Sequence, residues 1–100
     1  MSALRIATIR ARIEHALAPQ ALEIIDESHL HAGHAGARDG RGHFRVRIVS
    51  AAFAGVTPVK RHQLVYAALG ELMQSDIHAL ALDTRAPDEV RTELRTQESP

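Results

Sequence analysis

From Ser2 to Ala18 the apolar residues Ile6, Ile9, Ile13 and Leu17 recur every three or four positions. That spacing lines them along one face of an α-helix, with arginines and Glu14 elsewhere. Pro19 ends the helix, because the residue ahead of a proline is driven out of helical conformation. Ala21 to Ser28 reads as a strand centred on the β-branched Ile24 and Ile25 and running into Asp26 and Glu27. His43 to Ser50 alternates Phe44, Val46 and Ile48 against Arg45 and Arg47, the pattern of a half-buried strand, antiparallel to its predecessor by the simplest connection. Between the two, His29 to Gly42 holds four glycines and no apolar periodicity, which predicts a loop, and a long one for two strands. After a turn at Phe53 to Pro58, helical spacing returns over Val59 to Met73, with Val65, Leu69, Leu72 and Met73 on a common side. Ile77 to Thr84 is the third strand, and a period of two puts His78, Leu80 and Leu82 on one face. Pro87 suits the first turn of a last helix that carries Val90 and Leu94 and frays into the polar tail Thr96 to Pro100.

The predicted order is therefore α-β-β-α-β-α. Arg45 and Arg47 point away from the apolar face, so only one face of the sheet is covered and the class is α+β, with helices on one side. A helical crossover between the second and third strands favours parallel pairing there, and hence a mixed three-stranded sheet. The 100 residues read as one domain with a folded core over about 3–95.

Composition narrows the function. Hydrophobic residues make up 45% and charged ones 24%, the balance of an ordinary soluble globular protein. Uncharged runs are too short and too broken by glycine and proline to cross a bilayer, and the arginine-bearing amino terminus is not read as a secretory signal. We therefore expect a cytoplasmic protein without membrane association. Twelve basic residues balance twelve acidic ones, so any nucleic-acid binding would need a local patch rather than bulk charge. There is no cysteine, so this chain supplies no thiolate to a metal, a disulfide or a nucleophile.

Histidine is the conspicuous residue, with seven in the chain and four of them, His29, His31, His34 and His43, in or beside the loop. Imidazole ligates transition metals and shuttles protons, but loop histidines are more often solvated surface groups. His31 and His34, at spacings of two and three from their neighbours, lack the rigid frame of a closed zinc site. His78 at the start of an apolar strand reads, on spacing alone, as a half-buried structural residue. Lys60, Arg61 and His62 stand at a helix start, where the macrodipole disfavours cations. Either they meet an external anion, or they pair with carboxylates of the same fold. A metal-dependent hydrolase is a weak reading, because no rigid ligand pair stands next to a poised carboxylate.

Several elements occur together, in order: Asp26-Glu27-Ser28, His43-Phe44, Phe53-x-Gly55, Arg61-His62-x-x-Val65-Tyr66 and His78-Ala79-Leu80. With these the chain resembles the BolA-like proteins from about Ile6 to Val90. The resemblance implies a class II KH-like fold, in agreement with the order read from periodicity, and a non-enzymatic role. It implies adaptors that pair with a monothiol glutaredoxin and share a [2Fe–2S] cluster with it, glutathione being supplied in the complex. His78 would then be a ligand, together with a histidine of the first loop. Counting back from His43 selects His34, and counting forward from Glu27 selects His31. The mixed thiolate and imidazole shell would be of Rieske type. Lys60, Arg61 and His62 would line the partner and glutathione surface, and the free protein would be a monomer or weak homodimer. The same resemblance implies a second role, DNA-binding regulation through the Gly55 turn and the basic helix start. Against it, Gly55-Val-Thr-Pro58 lacks the second glycine of a nucleic-acid-gripping Gly-x-x-Gly loop, and few aromatics are available to stack on bases.

Overall fold

A computed structural model of the chain describes residues 2–28 and 42–90, the backbone alone at Ser2. The expected loop ligands His31 and His34, and most of the last helix, lie outside the described residues.

Helix α1 (Ser2–Leu17) buries Ile9, Ile13 and Leu17, with Ile6 packed at the margin. Strands β1 (Ala21–Asp26), β2 (Gly42–Val49) and β3 (Ile77–Arg85) form one sheet in the order β1-β2-β3. β1 runs antiparallel to β2, with Ile24 opposite Val46, and β3 runs parallel to β2, with Phe44 beside Leu80 and Val46 beside Leu82. The mixed sheet is thus as the crossover argument requires. Phe44, Val46 and Ile48 enter the core with Phe53, Val65, Leu69 and Ile77. On the other face Arg45 meets Glu27 at 3.1 Å, and Arg47 reaches Glu23 and Asp83 at 3.6 Å each. These exposed pairs add little stability, yet they keep that face polar and the helices on the opposite one. Among the described residues no helix is long and apolar enough to cross a membrane.

Two expectations are corrected. The single helix over Val59 to Met73 is two, α2 (Pro58–Leu69) and α3 (Leu72–Ser75). Gly70, at φ 54 and ψ −127, turns the chain between them in a conformation that side-chain-bearing residues avoid. Leu72 still reaches the core and Met73 packs against it, so the apolar spacing runs across the break undisturbed. Nor does His78 share a face with Leu80 and Leu82. A bulge in the β2–β3 ladder pairs Gly42 with Ile77 but His43 with Ala79. Ile77 takes the inward position, and His78 and Ala79 are both exposed.

Polar knots close the far end of the sheet. Ser50, fully buried, donates its hydroxyl to Leu17 O at 2.6 Å and accepts from Ala52 N at 3.1 Å. It thereby fastens the last turn of α1 to the 3-10 turn (Ala51–Phe53) that follows β2. Arg61, 8% exposed, donates to Val56 O, to Thr84 O and, through Nη1 and Nη2 at 2.7 Å each, to both oxygens of Glu89. Its guanidinium lies 5.9 Å from the Phe53 ring centre. Glu89 also accepts the Ala86 N–H at 2.9 Å, capping the helical turn over 87–90. The charged hydrogen bonds from Arg61, then the one from Ala86, push the Glu89 carboxyl down from 4.5 to about 2.

Removing the Ser50 hydroxyl leaves a buried carbonyl short of a donor. Ser50→Ala should lower the unfolding free energy by about 1–3 kcal/mol, read as a lower urea midpoint with unchanged slope. Because the folded pKa of Glu89 lies below its unfolded value, the unfolded state binds protons first as pH falls. The stabilisation is present above pH 4.5 and is lost on the way down to about 2. Glu89→Gln should therefore be less stable than the parent at pH 7 and lose less of its remaining stability between pH 5 and 2. Urea unfolding at both ends of that window checks it.

Candidate functional site

The opposite end of the sheet, where β2 and β3 begin, carries the histidines. Glu27 N–H donates to His43 O at 2.8 Å, and His43 N–H donates to Ser28 Oγ at 3.0 Å. Ser28 N–H in turn donates to Asp26 Oδ1 at 2.9 Å, and Gly42 N–H to Asp76 O at 2.9 Å. The described residues flanking the loop, Ser28 and Gly42, are thus held against each other beside the start of β3. Gly42 is needed for this approach. A Cβ there would stand 2.5 and 2.7 Å from carbons of the buried Phe44 ring and 3.0 Å from Ser28 Oγ.

The bulge presents His78 on the surface of β3, an edge strand, as an exposed imidazole. Its ring centre lies 5.1 Å from that of His43, with the ring planes inclined by 47°. His43 is 7% exposed although it sits on the same side of β2 as Arg45 and Arg47. A shallow depression of about 280 Å³ opens beside it, lined by Glu27, His43, Arg45, Ala79 and Ala81 together with Phe44 and Leu80. Among the described residues no group of three or more His, Cys, Asp or Glu side chains converges on one metal position.

Sequence reasoning placed His43 at the head of the second strand and missed its place beside His78. The signal was present: His43 alternates with Arg45 and Arg47, so its side chain leaves the core face and must meet whatever β3 offers there. The bulge that offers His78 has no signature in apolar spacing.

The basic run is divided. Thr57 caps α2 by accepting from Lys60 N at 3.3 Å, and Pro58 occupies the first turn. Lys60 is exposed and His62 half-buried, whereas Arg61 is turned inward onto Glu89. Of the two readings of a cation at this helix start, Arg61 follows pairing within the fold. It is corrected from a surface residue to a structural one.

Comparison with known proteins bears on this arrangement. The sequence profile of the family described as BolA-like protein matches residues 13–89. The "BolA-like protein 1" of Homo sapiens is 43% identical over 94 residues, covering 94% of this chain and 66% of the human one, so the chain spans slightly under two thirds of that relative. The "DNA-binding transcriptional regulator BolA" of Haemophilus influenzae is 39% identical over 88 residues, 88% of this chain and 82% of that protein. The solution structure of BolA1 from Mus musculus, 42% identical, matches the fold with a TM-score of 0.74 over 96% of this chain and 76% of that one. With a profile that runs from Ile13, in the last third of α1, to Glu89 and a shared mixed-sheet architecture, the chain belongs to the BolA-like family.

Proposed function

We propose that this protein is a non-enzymatic cytoplasmic adaptor that binds a monothiol glutaredoxin and lends imidazole to a [2Fe–2S] cluster bridging the two proteins, for cluster transfer or iron sensing. The observation that carries the reading is the exposed imidazole of His78, lifted out of the apolar strand by a bulge at a sheet edge. A structural histidine would sit where Ile77 sits.

The donor set fits such a group. Iron of a [2Fe–2S] cluster accepts neutral imidazole in place of thiolate, and when bound the cluster supplies a one-electron centre. This chain has no cysteine. The described residues also fall short of three converging donors, so the thiolates come from the glutaredoxin and its glutathione. His78 is the donor on the sheet, and His34 is the donor from the loop, with His31 as its alternative. The surface around α2 supplies partner contact through exposed Lys60, half-buried His62 and the exposed apolar groups of Val59 and Tyr66. Arg61 holds that helix in place from within.

The name of the Haemophilus influenzae relative, a DNA-binding transcriptional regulator, favours DNA binding as a second reading. With Arg61 committed to Glu89, Lys60 is the outward cation of the basic run.

Anaerobic addition of this protein and glutathione to a cluster-loaded monothiol glutaredoxin should change the visible absorption and circular dichroism. His78→Ala should fail to reproduce that change, and His34→Ala should diminish it more than His31→Ala. If the His78→Ala spectra match the parent's, the ligand assignment falls. DNA binding would appear as affinity with a steep salt slope that shrinks in Lys60→Ala. No binding at low salt removes that reading.

A further inference from the structure

We propose that the outer edge of β1 pairs with β1 of a second copy of this chain, antiparallel about a two-fold axis at Ile24, joining two three-stranded sheets into one. β1 and β3 are the edge strands. β3 carries features that discourage edge pairing, a bulge at its start and the Asp83 and Arg85 charges at its end. β1 has no proline, lysine or bulge, and its register with β2 is unbroken from Ala21 to Asp26. Leu22 and Ile24 lie only partly buried at the margin of the core, and Ile25 is 37% exposed on the uncovered face. This edge therefore leaves apolar surface for a further strand to cover.

It leaves main-chain groups as well. Glu27 N–H donates to His43 O at 2.8 Å, and Ile25 and Glu23 stand opposite Arg45 and Arg47. Hydrogen-bonded pairs recur at every second residue of an antiparallel ladder, so Glu23 and Ile25 turn their N–H and C=O toward β2. Leu22 and Ile24 turn theirs to the outer edge, where no described strand lies.

Register selects the partner. A two-fold axis normal to the sheet keeps the core faces of the two copies continuous, so residues standing opposite each other must face the same way. With Ile24 opposite itself, Glu23 faces Ile25 and Glu27 faces Ala21 across the junction, and no like charges meet. Ile25 of the second copy then falls beside the depression of about 270 Å³ lined by Ala21, Leu22, Glu23, Arg47 and Val49. With Leu22 opposite Ile24, Glu23 would stand against Glu23, and with Ile24 opposite Asp26 it would stand against Glu27. Like charges directly opposite destabilise a strand pair, which disfavours both. With Leu22 opposite itself, only Ala21 to Glu23 overlap. An edge of six residues is small beside the ~1,200–2,000 Å² of a stable complex, so the dimer is reversible and depends on concentration. It leaves β3 of each copy uncovered and does not rest on the cluster reading.

The test uses the full chain without glutaredoxin. Sedimentation equilibrium from micromolar to millimolar protein should show a monomer–dimer equilibrium. Ile25→Glu sets two like-charged pairs across the axis and should weaken association about fivefold or more, with an unchanged far-ultraviolet circular dichroism spectrum. Glu23→Lys/Ile25→Glu makes those pairs opposite in charge and should recover association. Because the chain has no cysteine, Ile24→Cys reports the axis directly. A hydrogen-bonded antiparallel pair holds its Cα atoms about 5.5 Å apart, within disulfide reach, so mild oxidation should give a covalent dimer. Ala81→Cys, on β3, should give none. The proposal is overturned if the parent is monomeric throughout, if folded Ile25→Glu associates as the parent does, or if Ala81→Cys cross-links and Ile24→Cys does not. Should Ile25→Glu fail to fold, the two cysteine variants decide. None of these outcomes bears on whether a glutaredoxin and its cluster are bound, so the two readings fail separately.

Discussion

The parallel pairing of β2 with β3, with its one-residue bulge, is the constraint from which the rest of the molecule follows. β2 is the strand with a neighbour on each side, and it sends Phe44, Val46 and Ile48 into the core. A parallel partner cannot be reached by a tight turn, so the chain must cross one face of the sheet, and the 3-10 turn, α2 and α3 make that crossing. α1 then packs against α2 on the same side, which leaves the arginine-bearing face uncovered. Without the bulge, Phe44 would pair with Ala79, and Leu80 would fall opposite Arg45 on the polar face. One extra residue lets both Ile77 and Leu80 point inward. His78 is exposed as the direct result of keeping two apolar neighbours buried.

The sheet is divided lengthwise between holding and displaying. Where β2 and β3 end, Ser50 N–H donates to Arg85 O at 2.9 Å, the Ser50 hydroxyl ties off α1, and Arg61 gathers Val56, Thr84 and Glu89. A nearly buried guanidinium is tolerable only when its donors are used, and here the main-chain carbonyls and a bidentate carboxylate use them. Where the same strands begin, Arg5 pairs with Asp76 and Arg45 with Glu27 at 3.1 Å each, and the rings of His43 and His78 lie side by side. The nearly buried charge of Arg61 and the histidine pair therefore sit at opposite ends of one ladder.

Most of this architecture was legible in the residues because burial leaves a period. Ile9, Ile13 and Leu17 marked the face of α1, and Phe44, Val46 and Ile48 marked that of β2, as the structure has them. What stayed hidden did not alter a period. Gly70 breaks a helix while Leu72 and Met73 continue its apolar spacing, and a glycine inside a helix costs only about 1 kcal/mol, too little to decide the matter from sequence. The bulge at His78 inverts a face assignment through pairing with a strand more than thirty residues away, which no local pattern encodes. The candidate site was legible as residue types, His78 above all. The neighbour of His78 was not, since His43 meets it only across that long-range pairing. Arg61 shows the opposite failure: its charge was plain, but the partner that buries it, Glu89, belongs to the next helix.

A histidine site on such a frame differs in kind from one that folds its protein. Phe53, Ile9, Ile13, Ile48 and Leu69 are fully buried with no contribution from any metal, so the core is closed before a ligand arrives. In small metal-dependent domains, by contrast, binding free energy is consumed as folding free energy, and the ion is retained because losing it unfolds the chain. Here His78 stands on a strand already ordered by that core, exposed where β2 and β3 begin.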